Sequence, residues 1–191
     1  MAETVAPDIP SRARPRLIAA CGIVIILLSA GSALLPVVDP GAGAAIVGSL
    51  LFVAGLVEAF AGTLHRQAKG LSTFAGAVTT FAGLLFIFNP GHLFPAAVLV
   101  TGWLIVRSVI LVLAGRFSTG SVRMWTLSSA AMDFFLAIVL LIGLSISSLV
   151  VALFGPTAPL VAGFAWVLAL SFVVTGLMLL EIASCERQAA D

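Results

Sequence analysis

The stretch GWLIVRSVILVLAG, from Gly102 to Gly115, decides the class of fold because it is almost wholly apolar and is long enough to form most of a membrane span. One cation, Arg107, lies inside it. A charge at the centre of a bilayer costs roughly 2.5–3.5 kcal/mol on insertion-based scales. The first functional question is therefore which group compensates Arg107.

The composition places the whole chain in the membrane class. Of 191 residues, 61% are hydrophobic and only 9% are charged, and the mean hydropathy is +1.24. A soluble domain carries about a quarter charged residues, so a soluble fold is excluded. The net charge of +1 gives no strong attraction to nucleic acid, and we expect the lipid bilayer to be the main partner.

We predict an all-α, polytopic membrane protein with six transmembrane helices. Backbone groups must be paired within the segment in lipid, and the apolar runs lack the alternation of a membrane strand. Residues 1–16 and 184–191 are interpreted as polar tails on either side of a transmembrane domain over residues 17–183. The predicted spans are Leu17–Val38, Ala42–Leu64, Leu71–Phe88, Leu93–Gly115, Met124–Ser147 and Leu160–Ala183.

The basic residues predict the orientation. With the exception of Arg107, every Lys and Arg lies in a tail, in the second-to-third connection or in the fourth-to-fifth connection. Basic residues collect on the cytoplasmic side of membrane proteins, so both termini are predicted to be cytoplasmic. These residues are Arg12, Arg14, Arg16, Arg66, Lys69, Arg116, Arg123 and Arg187.

The other three connections predict outer turns. They contain Asp39-Pro40-Gly41, Asn89-Pro90-Gly91 and Gly155-Pro156, and Pro followed by Gly ends a helix and favours a tight turn. The chain is therefore expected to form three helical hairpins, each closed on the outer side. The third outer connection, from Ser147 to Pro159, is longer and has room for a short interfacial segment.

Small residues recur every seven positions in several spans, as at Gly48, Gly55 and Gly62. In lipid, helices associate through close backbone approach at such residues. We interpret these stripes as helix-packing faces, and they also allow a homo-oligomer.

Three ionisable residues are predicted to form an intramembrane charge cluster. At a rise of ~1.5 Å per residue, Arg107 and Asp133 both lie on the order of 12–14 Å from the cytoplasmic ends of their spans. Glu58 lies on the order of 9 Å from the end of the second span, on its glycine face. Three roles stay open: a structural ion pair with Glu58 as a third member, a proton or ion relay, and contact of an unpaired Arg107 with lipid headgroups.

No catalytic or cofactor motif accompanies these residues, so we expect neither catalytic residues nor a cofactor, and we do not expect an enzyme. His65 and His92 lie on opposite sides of the membrane, where they cannot share a metal ion, and each is interpreted as a solvated loop histidine. Cys21 and Cys185 are expected at different depths, which disfavours a disulfide, and no metal site is predicted.

The pattern resembles the HdeD family of small bacterial inner-membrane proteins. The similarity covers about residues 16–183 and lies in six short helices, Asp/Asn-Pro-Gly outer turns, the helices GSLLFVAGLVEAF and GWLIVRSVILVLAG, and Trp125 at the start of MWTLSSAAMDFFLAIVLLIG. The resemblance implies location in the bacterial inner membrane and a role in acid resistance. It carries over no catalytic residue or cofactor.

Three functions remain open from the sequence. The first is a non-enzymatic inner-membrane protein that acts in acid or envelope stress. The second is a small transporter or channel for protons or a small solute, which requires a polar route through the outer half of the bundle. The third is an assembly or scaffold subunit, which the glycine stripes favour if they outnumber their internal partners.

Overall fold

The computed structural model describes residues 13–38, 43–88, 96–154 and 160–188, and all regular structure within these ranges is helical. Each of the six helices is long and apolar enough to cross a membrane, which indicates a multi-pass membrane protein as predicted. The helices are α1 (Ala13–Val38), α2 (Gly43–Leu64), α3 (Lys69–Ile87), α4 (Ala96–Arg116), α5 (Gly120–Phe154) and α6 (Leu160–Gln188).

Several helix ends differ from the predicted spans by four residues or more, and α5 begins at Gly120 instead of Met124. Helix α1 begins at Ala13, α6 continues to Gln188, and α5 continues past Ser147 to Phe154. The expected end at Ser147 was wrong because no Pro or Gly interrupts the chain between that residue and Gly155. The residues expected to form a short interfacial segment therefore extend α5, at least as far as Phe154.

The six helices form a ring in which each helix packs against its neighbours in the chain and α6 closes the ring against α1. The most extensive contact joins α2 to α3. A Cβ atom added at Gly55 would lie 2.2 Å from the backbone nitrogen of Thr80, and one at Gly76 would lie 2.2 Å from that of Ala59. Only glycine permits such an approach, so this glycine stripe packs inside the chain.

Helices α1 and α6 meet in the same way. A Cβ atom at Gly22 would lie 2.9 Å from the carbonyl oxygen of Gly176, and one at Gly176 would lie 2.8 Å from that of Gly22. Large apolar side chains cover the outside of the ring instead. Phe74 and Phe81 on α3 and Phe88, directly after its end, are all exposed at intervals of seven residues, which is the arrangement expected of a face in contact with lipid.

One side of the ring is defined by contacts among its connections. The backbone N–H of Thr119, between α4 and α5, donates to the Oε1 atom of Gln67, between α2 and α3, over 2.8 Å. Nε of Arg66 lies 2.9 Å from Oε2 of Glu186, near the end of α6. We call this the basic side of the protein and the opposite one the far side. The three predicted Pro-Gly or Gly-Pro turns fall in residues 39–42, 89–95 and 155–159, outside the described residues.

Candidate functional site

The structure brings the three ionisable span residues into direct contact at the centre of the helix ring. The guanidinium of Arg107 is 1% exposed. Its Nη2 lies 2.6 Å from Oε1 of Glu58, and its Nε lies 3.4 Å from Oε2 of the same carboxylate. On its other side, Nη1 donates to Oδ2 of Asp133. We call Arg107, Glu58 and Asp133 the ion cluster; it joins α2, α4 and α5.

Hydroxyl groups from α6 complete one side of the ion cluster. Oγ1 of Thr175 accepts a hydrogen bond from Nη2 of Arg107 over 2.8 Å and donates to the carbonyl oxygen of Ser171. The hydroxyl of Ser171 donates to Oδ1 of Asp133 over 2.6 Å. Hydrogen bonds to charged groups are the strong ones, so α6 is tied to the ion cluster at two points.

Helix α3 contributes a hydroxyl group beside Glu58, that of Thr79. Oγ1 of Thr79 lies 3.2 Å from Oε2 of Glu58 and 3.1 Å from the carbonyl oxygen of Ala75. It also accepts a hydrogen bond from Nε1 of Trp103 over 3.1 Å. Trp103 lies one turn before Arg107 on α4, so both side chains of one helix face reach the same site. Five of the six helices thus supply a polar group.

Local packing explains why these side chains meet. Glu58 lies three residues after Gly55 and four before Gly62, on the face of α2 that approaches α3 most closely. Its carboxylate therefore points into the ring and not into lipid. Helices α4 and α5 are antiparallel neighbours joined by the short connection 117–119, which places Arg107 and Asp133 at the same depth.

The charges in the cluster are unequal in number. One guanidinium faces two carboxylates, so the fully ionised cluster carries a formal charge of −1. A buried ion pair repays its desolvation only if geometry and further hydrogen bonds are good. Here all four carboxylate oxygens accept a hydrogen bond, yet one negative charge stays uncompensated.

A narrow cavity connects Glu58 with the basic side. It has a volume of about 10 Å³ and is lined by Glu58, His65, Gln67, Ser72 and Thr126 among others. A wider cavity of about 240 Å³ nearer the basic side shares His65 and Gln67 with it. The narrow cavity is close to the smallest volume that holds one water molecule. Glu58 is the member of the ion cluster that lines it.

His65 is buried, contrary to the expectation of a solvated loop histidine. It is only 7% exposed, and its Nε2 has no hydrogen-bond partner in the part of the chain that the structure describes. Burial lowers the pKa of His65 to about 4 because the imidazolium would lose its hydration. The imidazole is therefore neutral at pH 7. The other histidine, His92, lies outside the described residues.

No family model, curated protein or solved structure matches the chain. The chemistry of the site must therefore be argued from its own residues. Within the described ranges, no group of three His, Cys, Asp or Glu side chains is arranged to hold a metal ion. The two cysteines are free thiols, Cys21 buried and Cys185 partly exposed. The ion cluster offers carboxylate oxygens that can bind a proton and hydroxyl groups that can donate to or accept from them.

The hydroxyl ligands were not identified from the sequence. Ser171 and Thr175 lie in the predicted span Leu160–Ala183, in which no polar residue was singled out from the sequence. Their spacing of four residues places both hydroxyls on one helix face, and that was an available signal. Thr79 had no comparable signal, because one threonine in an apolar span more often bonds to its own helix backbone.

Proposed function

We propose that this protein is a non-enzymatic, multi-pass protein of the bacterial inner membrane that acts in resistance to acid or envelope stress. Six candidate spans and the one-sided Lys and Arg residues support three hairpins with both termini in the cytoplasm. The HdeD-like turns and helices support the inner-membrane location and the link to acid stress. On this orientation, the basic side faces the cytoplasm.

One observation carries the proposal: the ion cluster has one more carboxylate than cations, and its Glu58 lines a narrow cavity that also borders Gln67 and Ser118 in the connections of the basic side. Acidification of that side adds a proton to an uncompensated carboxylate and changes the charge at the centre of the ring. Five helices contact this centre, so the change alters their packing. A response to acid follows without any catalytic step.

The test is survival at low pH, with recording of internal pH, in a strain that lacks the protein. The strain is complemented with the wild type, with Asp133→Asn, or with Glu181→Gln. Glu181 is the matched control because its carboxylate bonds to Ser121 away from the ion cluster. We expect rescue by the wild type and the control only. Absence of any acid phenotype would remove the stress role, and equal rescue by Asp133→Asn would remove Asp133 from it.

A proton-linked transporter is the second candidate, and the cavity at Glu58 is the observation that favours it. Transport needs alternating or simultaneous access from both sides. It therefore predicts Glu58-dependent proton movement across vesicles that contain the purified protein. The stress proposal needs no such movement, so the flux measurement described below separates the two.

A homo-oligomer or scaffold is a third proposal, and the internal glycine contacts limit how it could form. The glycines of α2 and α3 face each other within the chain, so association through them would require those helices to separate. Gly102 on α4, by contrast, has no atom within 4 Å of an added Cβ. Cross-linking in native membranes from Gly102→Cys, compared with Gly55→Cys, tests whether a second copy lies near the open position.

A further inference from the structure

The charged side chains around Glu58 leave one negative charge without a positive partner, so the ion cluster can take up one cation. Arg107 contacts Glu58 and Asp133, while α3 and α6 supply only hydroxyl groups at this depth. His65 lines the same cavity and is neutral. On α1 the titratable side chain nearest mid-span is Cys21. The other ionisable side chains of the surrounding helices lie in the terminal turns on the basic side: Arg14, Arg16, Lys69, Arg116, Arg123, Glu181, Cys185, Glu186 and Arg187.

Thr79 can satisfy Glu58 in both protonation states. Its single hydroxyl hydrogen has two acceptors within reach, Oε2 of Glu58 at 3.2 Å and the carbonyl oxygen of Ala75 at 3.1 Å. When Glu58 is ionised, Thr79 donates to it. When Glu58 carries a proton, the acid O–H donates to Thr79, whose own hydrogen turns to Ala75. Within the described part of the chain, the Ser171 hydroxyl beside Asp133 donates one hydrogen bond, to Oδ1 of that carboxylate.

Access to Glu58 is polar from the basic side. His65, Ser72, Ala114, Thr126 and Ile182 lie seven residues from Glu58, Thr79, Arg107, Asp133 and Thr175 towards that side, or about 10 Å along a helix. His65 directly follows the end of α2, and the other four lie on α3 to α6. We call these five residues the basic-side layer. All but Ala114 line the narrow cavity that ends at Glu58, and three of them carry a polar side chain.

On the far side of the ion cluster, the corresponding positions of the same five helices carry apolar side chains. Seven residues from Glu58, Thr79, Arg107, Asp133 and Thr175 in the other direction lie Leu51, Phe86, Val100, Leu140 and Leu168. We call these five the far-side layer. All five are buried and belong to one continuous apolar core, and three are 0% exposed. These five side chains offer no polar group that could hold a water molecule in place.

We infer that Glu58 is a reversible proton-binding site that exchanges with the basic side through the narrow cavity and is sealed from the far side by the far-side layer. In this step a hydronium ion from the basic side transfers its proton to Oε2 of Glu58: one O–H bond of hydronium breaks, an O–H bond to Oε2 forms, water is released, and the cluster charge changes from −1 to zero. This inference deepens the proposed function by naming the group that responds to acid, but it also stands without a stress phenotype.

The first experiment follows the carboxyl groups of the full-length protein by infrared difference spectroscopy during a pH titration in lipid nanodiscs. We expect a band of a protonated carboxylic acid that titrates reversibly and corresponds to about one proton per chain. The band should shift when glutamate is labelled with carbon-13 and should not shift when aspartate is labelled. It should be lost in Glu58→Gln and retained in Glu181→Gln. A band that follows labelled aspartate, or one that persists in Glu58→Gln, overturns the inference.

The second experiment tests the seal. Purified wild-type protein in liposomes is given a pH gradient, and the internal pH is followed with a trapped dye. We expect no proton flux above that of protein-free liposomes. The double change Leu140→Ser with Leu168→Ser should introduce a leak that Glu58→Gln abolishes, while Leu140→Ala with Leu168→Ala should leak less. Glu58-dependent flux through the wild type overturns the seal and favours the transporter.

The titration of Glu58 and the acid-survival test in cells can give different results, so the two proposals can be told apart. Loss of the Glu58 titration with an intact acid phenotype would remove the proton site and leave the proposed function. An intact titration of Glu58 with no acid phenotype would keep the proton site and remove the proposed function. Gel filtration and thermal unfolding of Glu58→Gln show whether the variant is folded, and the isotope experiment on the wild type does not depend on any variant.

Discussion

The basic-side layer and the far-side layer lie seven residues from the ion cluster in opposite directions, on the same five helices except for His65, which directly follows α2, and they differ in polarity. His65, Ser72 and Thr126 give the first layer polar side chains, whereas every member of the second is apolar. The narrow cavity follows this difference, because the polar layer lines it. A charge in the middle of a membrane helix ring therefore need not imply a pore. The layers beside the charge determine from which side it is reached.

The largest expected effect comes from removal of the cation between the two layers. Arg107→Met leaves two carboxylates without a counter-charge in the ring, and breaking a buried pair in this way costs about 3–5 kcal/mol. The free energy of unfolding in mixed micelles is the measurement. Arg116→Met, at the exposed end of α4, is the control and should change it by less than about 0.5 kcal/mol. A small loss at Arg107 would mean that the cluster does not hold the helices together.

Truncation of a side chain should lower the free energy of unfolding more in the far-side layer than in the basic-side layer. Leu168→Ala removes a fully buried side chain from the far-side layer and should cost about 2–5 kcal/mol through lost packing and the cavity left behind. Ser72→Ala in the basic-side layer, where the side chain borders a cavity, should cost less than about 1 kcal/mol. Equal costs would show that the far-side layer is no more tightly packed than the basic-side layer, and the seal would lose its support.

The close contact between Gly55, three residues before Glu58, and Thr80 of α3 should also be sensitive to substitution. In Gly55→Ala the new methyl group would meet the backbone of Thr80, which cannot move aside as a flexible side chain does. We expect a cost of about 1–3 kcal/mol and a displaced Glu58–Thr79 hydrogen bond. The control is Gly102→Ala, where the added Cβ meets open space, with a change within about 0.5 kcal/mol. Unfolding of both variants side by side is the measurement.

The smallest predicted effect is a pH dependence in the basic-side layer. The pKa of His65 is lowered from 6.5 to about 4 in the folded protein, so the unfolded chain binds more protons between these values. Stability is therefore lost as pH falls from 6.5 towards 4, by about 1–2 kcal/mol between pH 7 and pH 5. His65→Gln should remove this contribution to the pH dependence of stability, as thermal unfolding at several pH values would show. If the pH dependence of stability is unchanged in His65→Gln, a group other than His65 is responsible for it.

Several features were predictable from the sequence because they depend on local pattern. The six apolar helices follow from the length of the hydrophobic runs, and Gly55 and Gly62 indicated a face of close helix contact. The depth of Arg107 and Asp133 followed from residue counts along two antiparallel helices. Glu58 was placed on the inward face by its spacing from the two glycines. Helix ends were predicted less well: the predicted end of α5 at Ser147 overlooked that no Pro or Gly follows before Gly155, and the helix continues to Phe154.

Tertiary contacts decided what local pattern could not. The sequence by itself determined that one cation and two carboxylates lie within membrane spans, because hydropathy and spacing are properties of the chain. Only the folded ring determined that Thr79, Ser171 and Thr175 bond to them, that His65 is buried, and that apolar side chains from five helices meet on one side of the charge. The physical reason is that burial and hydrogen bonding depend on neighbours far apart in the chain, which no single helix specifies.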